Sequence, residues 1–179
     1  IPDSIKDEAI NAIKEGFNSY TQTGGLPELR EKIKNYVEDL KKCKFDDLFV
    51  TSGVSGGILL ALLTLINPGD EVIIPDPYFV MYKHLVNLAG GIPKFLDTYP
   101  DFKLDPGKLK SLITPKTKLM LLNNPTNPTG KVYTYSELKP VLDIAKENNL
   151  LIVSDEIYDL FHYNEEFASV ATYYDNVLL

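Results

Sequence analysis

Along the chain, the spacing of apolar positions changes character after the first 45 residues. Up to that point it is helical. Ile5, Ala9, Ala12 and Ile13 follow Ser4, a residue suited to cap a helix, and Gly16 is placed to end that helix. Beyond the Gly24-Gly25 loop, Pro27 suits the first turn of a second helix whose stripe of Leu29, Ile33, Tyr36, Val37 and Leu40 is patterned for burial. Short apolar runs and helical segments then alternate. Strands are predicted over 48–51, 68–75 (after a Pro-Gly-Asp turn), 92–98, 117–123, 150–155 and 176–179. Helices are predicted over 56–67 (largely buried), 78–89, 105–113 and 136–148. Such alternation predicts an α/β fold, a mostly parallel sheet flanked by helices. The nearly continuous apolar strands predict burial on both faces.

Composition narrows the setting. A chain of 179 residues suits one domain, and 44% hydrophobic with 24% charged residues suits a soluble globular one. The net charge of −7 argues against nucleic acid or an anionic membrane as partner. Cys43 is the only cysteine, which rules out an internal disulfide and favours a reducing compartment, the cytoplasm. The longest apolar run, Ile58 to Ile66, is too short to span a bilayer. The opening IPDSIKDEAI is already an amphipathic helix start rather than a leader. With no initiating Met, and with the closing apolar NVLL, both ends read as cut.

Parallel sheets bind ligands at the carboxyl ends of their strands, and four strand ends carry candidate chemistry. In VTSGVSGG, the amides of Gly53, Val54 and Ser55 would face an anion at a helix start, with the Ser52 and Ser55 hydroxyls as added donors; a plain tight turn fits that stretch equally well. In IIPDPYFVMY, Tyr78 could stack on a flat ligand or pack on its own sheet. In NNPTNPTGKV, prolines stiffen the loop around Asn127, and a stiff loop aims a side-chain amide; the bland reading is a turn rich in turn formers, but the repeated Asn-Pro pattern is more than a turn needs. In LLIVSDEIYDLF, an apolar strand delivers Asp155 and Glu156 to the sheet edge, where a carboxylate is costly without a cation; Tyr158 follows. For Asp155 the bland reading is a helix cap, and for Glu156 a solvated or partner-bound charge. Together the four ends suit a ligand with an anionic group, a flat ring, a polar ring substituent and a basic ring atom. Pyridoxal 5′-phosphate has all four.

With YTQTGGLPELR, NNPTNPTGKV and VSDEIY in this order and spacing, the chain resembles the class I/II aminotransferases, of the aspartate/aromatic kind, among the fold-type I pyridoxal-phosphate enzymes. The resemblance covers essentially all 179 residues and implies part of the large cofactor-binding domain, with residues 1–45 as its N-terminal helical part and the small domain absent. It implies that amides of the Gly53-Val54-Ser55 turn hold the phosphate, that Tyr78 stacks on the ring, that Asn127 and Tyr158 bond the ring O3′, and that Asp155 pairs with the ring nitrogen. Tyr20 would reach the phosphate of a neighbouring subunit, so a homodimer is implied. Gly56 departs from the family, where Glu often follows the serine; a backbone phosphate site should survive that change.

The resemblance further implies amino-group transfer between an L-amino acid and a 2-oxo acid. The family's Schiff-base lysine has no match here and is expected beyond Leu179, so the piece by itself is expected to be inactive. Lys131 reads as solvent-facing, Lys139 and Lys146 as helix surface, and Arg30 as structural. Lyases and synthases use the same pocket, a non-catalytic aminotransferase-like regulatory domain is a further alternative, and a nucleotide-binding α/β domain using the Gly53 turn would leave Asn127, Asp155 and Tyr158 unexplained. His84 reads as surface or half-buried, Cys43 as an inert helix end, and Lys41 to Lys44 as a cationic helix C-terminus.

Overall fold

The computed structural model describes residues 1–179. In chain order the elements are α1 (Asp3–Lys14), α2 (Pro27–Lys41), α3 (Gly53–Leu65), β1 (Glu71–Asp76), α4 (Met81–Leu88), β2 (Ile92–Asp97), α5 (Pro106–Leu112), β3 (Thr117–Asn123), α6 (Tyr135–Glu147), β4 (Leu151–Asp155), a 3-10 turn (Val170–Thr172) and β5 (Val177–Leu178). The five strands form one all-parallel sheet in the order β2-β1-β3-β4-β5. β1, β3 and β4 are buried almost throughout, as their apolar runs require; β2, at an edge, is not.

Alternate strand residues face opposite layers. Val72, Ile74, Leu119, Leu121 and Val153 pack under Ile58, Leu62 and Ile66 of the α3 segment and Tyr82, Leu85 and Val86 of α4. On the other face Ile73, Leu96, Met120, Leu122 and Ile152 meet Leu109 of α5 and Leu138, Val141, Leu142 and Ala145 of α6. The chain leaves β1 for β2 on one side, then crosses back to β3 on the other. The direction of winding therefore reverses between β1 and β3. At such a reversal the connecting loops part at the carboxyl ends and leave a crevice.

Several local expectations change. Ser4 lies inside α1, which starts after Pro2, while Gly16 ends it in a left-handed conformation as expected. Residues 48–51 do not join the sheet. The Val50 amide donates to the Gly24 carbonyl, and Arg30 binds the Leu48 carbonyl at 2.7 Å and the Asp47 carboxylate, so the segment is tied to α2 and its loop. Arg30 is structural, as read. α3 starts three residues earlier than expected and is apolar all round. It buries Ile58, Ala61 and Leu62 and leaves Leu60, Leu63 and Leu65 exposed, because one side alone meets the sheet. α1 buries no residue. On α2 Leu29, Tyr36 and Leu40 stay exposed and the one buried residue is Lys41, since within this chain no layer covers the apolar stripes of either helix. The α4 helix starts at Met81 rather than Tyr78, whose ring is stacked on Phe95 of β2 (centroids 5.2 Å apart, 9° between planes), which holds residue 78 against the sheet.

Leu62 is fully buried beneath β1 and β3. Leu62→Ala is expected to lower unfolding stability by about 3 kcal/mol in urea titrations; a loss below about 1 kcal/mol would mean that α3 is not packed on the sheet in this way.

Candidate active site

β3 and β4 run in register with Asn123 beside Asp155, so the two strands deliver their last residues to the same edge. Asn123 donates its side-chain amide to the Asp155 carbonyl (2.9 Å) and accepts from the Asn127 backbone amide (2.6 Å). Its carbonyl accepts from the Thr126 hydroxyl. Asn124, fully buried, donates to the carbonyls of Tyr133 and Ala168 and accepts from the Tyr133 amide. Asn123 and Asn124 thus pin the loop. The Asn127 side chain, half-buried, has no partner within the chain. The proline-rich stretch fixes one free amide at the crevice. A cavity of about 10 Å³, room for a single water, lies there, lined among others by Pro75, Tyr78, Tyr82, Asn123 and Asn127.

Asp155 is 7% exposed. Its carboxylate accepts from the Tyr82 phenol (2.5 Å) and the Ile157 amide (3.2 Å), and no Lys, Arg or His pairs with it. Tyr82 is itself buried in the first turn of α4, four residues beyond Tyr78. Burial first, then the Asp155 carboxylate and nearby Tyr158, push its phenol far above the usual tyrosine range, so it stays a donor. Phe79 stands edge-on to the Tyr82 ring at 5.6 Å. Tyr158 is about one-third exposed, its ring set against Phe161, and its hydroxyl is unpartnered.

The neighbouring Glu156 is handled differently. It is 8% exposed and receives Lys41 Nζ at 2.7 Å on one oxygen; the other accepts from the Ser154 and Ser169 hydroxyls and the Val170 amide at 2.9 to 3.0 Å. Lys41 also binds Asp159 at 2.7 Å. Neither a solvated Glu156 nor a simple cationic helix end describes this pair: α2 ends at Lys41, and that lysine is buried. Cys43 lies past the helix end, half-buried, and burial pushes its thiol up. Lys131 is not free in solvent; it pairs with Glu137 at 2.7 Å, and that carboxylate also accepts from the Thr134 amide at the start of α6. His84 is exposed.

At α3 the Gly53 amide already donates to the Thr51 carbonyl (2.9 Å), with Gly53 in a left-handed conformation (φ 70°). The expected donor set therefore loses Gly53. The Val54 and Ser55 amides have no intrahelical acceptor by position, and no side chain caps the helix. This end suits an oxyanion. Tyr20 is fully exposed. Sequence reasoning missed Tyr82, Asn123, Asn124 and Lys41. The i, i+3, i+4 spacing of Tyr82, Leu85 and Val86 was a usable signal of burial for the first; the others depend on partners far along the chain.

A family model described as aminotransferase class I and II matches residues 1–179. The chain belongs to that family. It is 41% identical over 167 residues to the aspartate aminotransferase of Geobacillus stearothermophilus, covering 90% of this chain and 42% of that protein. It is 40% identical over 171 residues to that of Sulfurisphaera tokodaii, covering 93% and 43%. Among solved structures, the Thermus thermophilus aspartate aminotransferase with maleate superposes with a TM-score of 0.92 at 32% identity, covering 98% of this chain and 47% of that one. The aromatic aminotransferase of Pyrococcus horikoshii gives 0.92 at 35% identity, covering 96% and 47%. The chain spans about half the length of these relatives. The aminotransferase fold expected from the motifs is thus the fold observed. No helix is long and apolar enough to cross a membrane.

Two outcomes test the site. Tyr82→Phe removes a buried donor from a carboxylate and is expected to cost about 2 kcal/mol in urea unfolding; wild-type stability would show that the Tyr82–Asp155 bond contributes nothing. Lys41 is subject to a pH test. Burial alone would lower its pKa, but Glu156 and Asp159 outweigh that and raise it above the ordinary 10.5. A raised folded-state value stabilises fully below the unfolded pKa, and the contribution fades as pH rises through the folded one. The stability gap between wild type and Lys41→Met should thus hold steady up to about pH 10 and close above it.

Proposed function

We propose that this chain forms a pyridoxal 5′-phosphate site, and that the protein containing it transfers amino groups between an L-amino acid and a 2-oxo acid. The observation that carries the reading is Asp155: a buried carboxylate at the carboxyl edge of the sheet with no cation of its own, one residue from a carboxylate that has one. A protonated ring nitrogen would supply the missing charge. The unpartnered amides at the start of α3 fit a phosphate, and the unpartnered Asn127 amide and Tyr158 hydroxyl fit a phenolic oxygen. The residues present fit the group.

In this reading Asp155 holds a proton on the ring nitrogen, and Tyr82, fixed as a donor, keeps the carboxylate oriented. Val54 and Ser55 bind the phosphate. Asn127 and Tyr158 bind O3′. We assign the stacking contact to Phe79 rather than Tyr78, because the Tyr78 ring is already paired face to face with Phe95 while Phe79 stands against the tyrosine that holds Asp155. When bound, the cofactor supplies an electron sink for bonds at the α-carbon of an amino acid. Exposed Tyr20 is free to reach a second subunit, which supports a homodimer. The lysines near these elements are engaged, Lys41 with Glu156 and Asp159, Lys131 with Glu137 and Lys139 with Asp143, so we infer that the Schiff-base lysine lies elsewhere in the protein. On that reading these residues alone bind the cofactor without turning over.

Titration of the purified protein with pyridoxal phosphate, followed by absorbance, tests this. Saturable binding is expected, weakened roughly tenfold or more by Asp155→Ala. Equal affinity in both proteins would overturn the assignment.

A further inference from the structure

Lys41 is the one buried residue of α2, a helix whose apolar stripe stays largely exposed. A lysine is the residue least suited to that position unless something demands it. Its ammonium spans 115 residues of sequence to Glu156 and 118 to Asp159, both at 2.7 Å. It also stands over the Phe167 ring at 5.2 Å. Its carbonyl accepts from the Thr172 hydroxyl at 2.6 Å. The two carboxylates it grips flank Ile157 and Tyr158, and Glu156 directly follows Asp155. Glu156 in turn clasps Ser154 on β4, together with Ser169 and Val170 ahead of β5. The turn after Asp155 has its own bonds, from the Asp159 amide to the Glu156 carbonyl (3.0 Å) and from the Phe161 amide to the Tyr158 carbonyl (2.7 Å), but these are local and fix only its shape. Its orientation relative to the sheet depends on the Ile157 amide bond to Asp155 and on Glu156 and Asp159; Glu156 has Ser154, Ser169 and Val170 besides, but Lys41 is the one group that holds both carboxylates and ties the turn to α2.

We propose that Lys41 is a positioning residue of the site: by holding Glu156 and Asp159 it fixes the turn through which Asp155 and Tyr158 present their polar groups. It touches neither ligand nor reacting atoms. Its effect on binding rests on the pyridoxal-phosphate reading above; its effect on the turn does not.

The test uses the full-length protein in wild-type, Lys41→Arg, Lys41→Met and Lys41→Met/Glu156→Gln forms. The double variant removes the stranded charge at Glu156, the more deeply buried of the two carboxylates, and is expected to fold even where the single one does not. Hydrogen exchange without cofactor is expected to show Ile157, Asp159 and Phe161 amides losing protection at least about tenfold in the Met variants, with β3 amides unchanged. Pyridoxal phosphate affinity is expected to fall about tenfold or more in both Met variants and to stay within about threefold in Lys41→Arg. Unchanged protection of the turn overturns the proposal whatever the protein binds. A double variant with wild-type affinity also overturns it, because Lys41 would then serve charge balance alone. A wild-type protein that binds no pyridoxal phosphate sinks the functional reading, and the exchange result then decides whether Lys41 sets the turn.

Discussion

Two adjacent carboxylates at the end of one buried strand set the terms for this fold. Taking a carboxylate out of water costs several kcal/mol unless hydrogen bonds and an opposite charge replace the lost hydration. Glu156 meets that demand inside the chain, with a lysine, two hydroxyls and an amide. Asp155 meets only half of it, with a phenol and an amide but no cation. The difference is not one of exposure, since both are buried to a similar degree. It lies in where each side chain is directed: Glu156 toward α2 and the segment before β5, Asp155 toward α4 and the crevice.

The sheet makes that crevice. All five strands are parallel, so their carboxyl ends gather at one edge, and the reversal of winding between β1 and β3 parts the loops there. The loop after β3 would otherwise be slack. Asn124 ties it to Tyr133 and Ala168, Asn123 ties it to β4, and one amide, that of Asn127, is left over. The burial of Asn124 is affordable because its side chain is satisfied three times. Burial pushes Tyr133, below this loop, up to about 12, so its hydroxyl stays protonated and donates to the Phe102 carbonyl.

Much of this was legible locally. The apolar runs of β1, β3 and β4 have no polar face, and that alone predicts a sheet covered on both sides. The strand ends stand out because Asp155, Asn127 and the glycine turn are polar or irregular where the core should continue. What was not legible depended on partners remote in sequence. Residues 48–51 have a strand composition, yet their hydrogen bonds go to the Gly24 loop and Arg30. The stripes of α1 and α2 are amphipathic, yet periodicity does not say whether a layer exists to cover them. Lys41 sits in a run of lysines that looks like a solvated helix end, and its partners lie more than a hundred residues away. Tyr78 and Phe79 are adjacent aromatics, and only the position of β2 decides which ring is taken up by Phe95.

The pairing at Lys41 also explains why a lysine so close to Asp155 does not neutralise it. One ammonium is shared between Glu156 and Asp159, so the cluster stays negative even with the lysine charged. An anion approaching this end of the crevice would meet that negative field together with Asp155, whereas a cation would be drawn in. At the start of α3 the field has the opposite sign, with free amides and the positive end of a helix apolar along its whole length. On the proposed reading a ligand carrying both charges would have its anionic group at Val54 and Ser55 and its cationic nitrogen at Asp155, and the opposite signs of the two fields would disfavour the reversed orientation. On that reading such a ligand would be oriented by charge, and hydrogen bonds from Asn127 and Tyr158 would need only fix its rotation. That division of labour requires the turn after β4 to keep its place, because moving Asp155 would shift one end of the field and leave the other where it is.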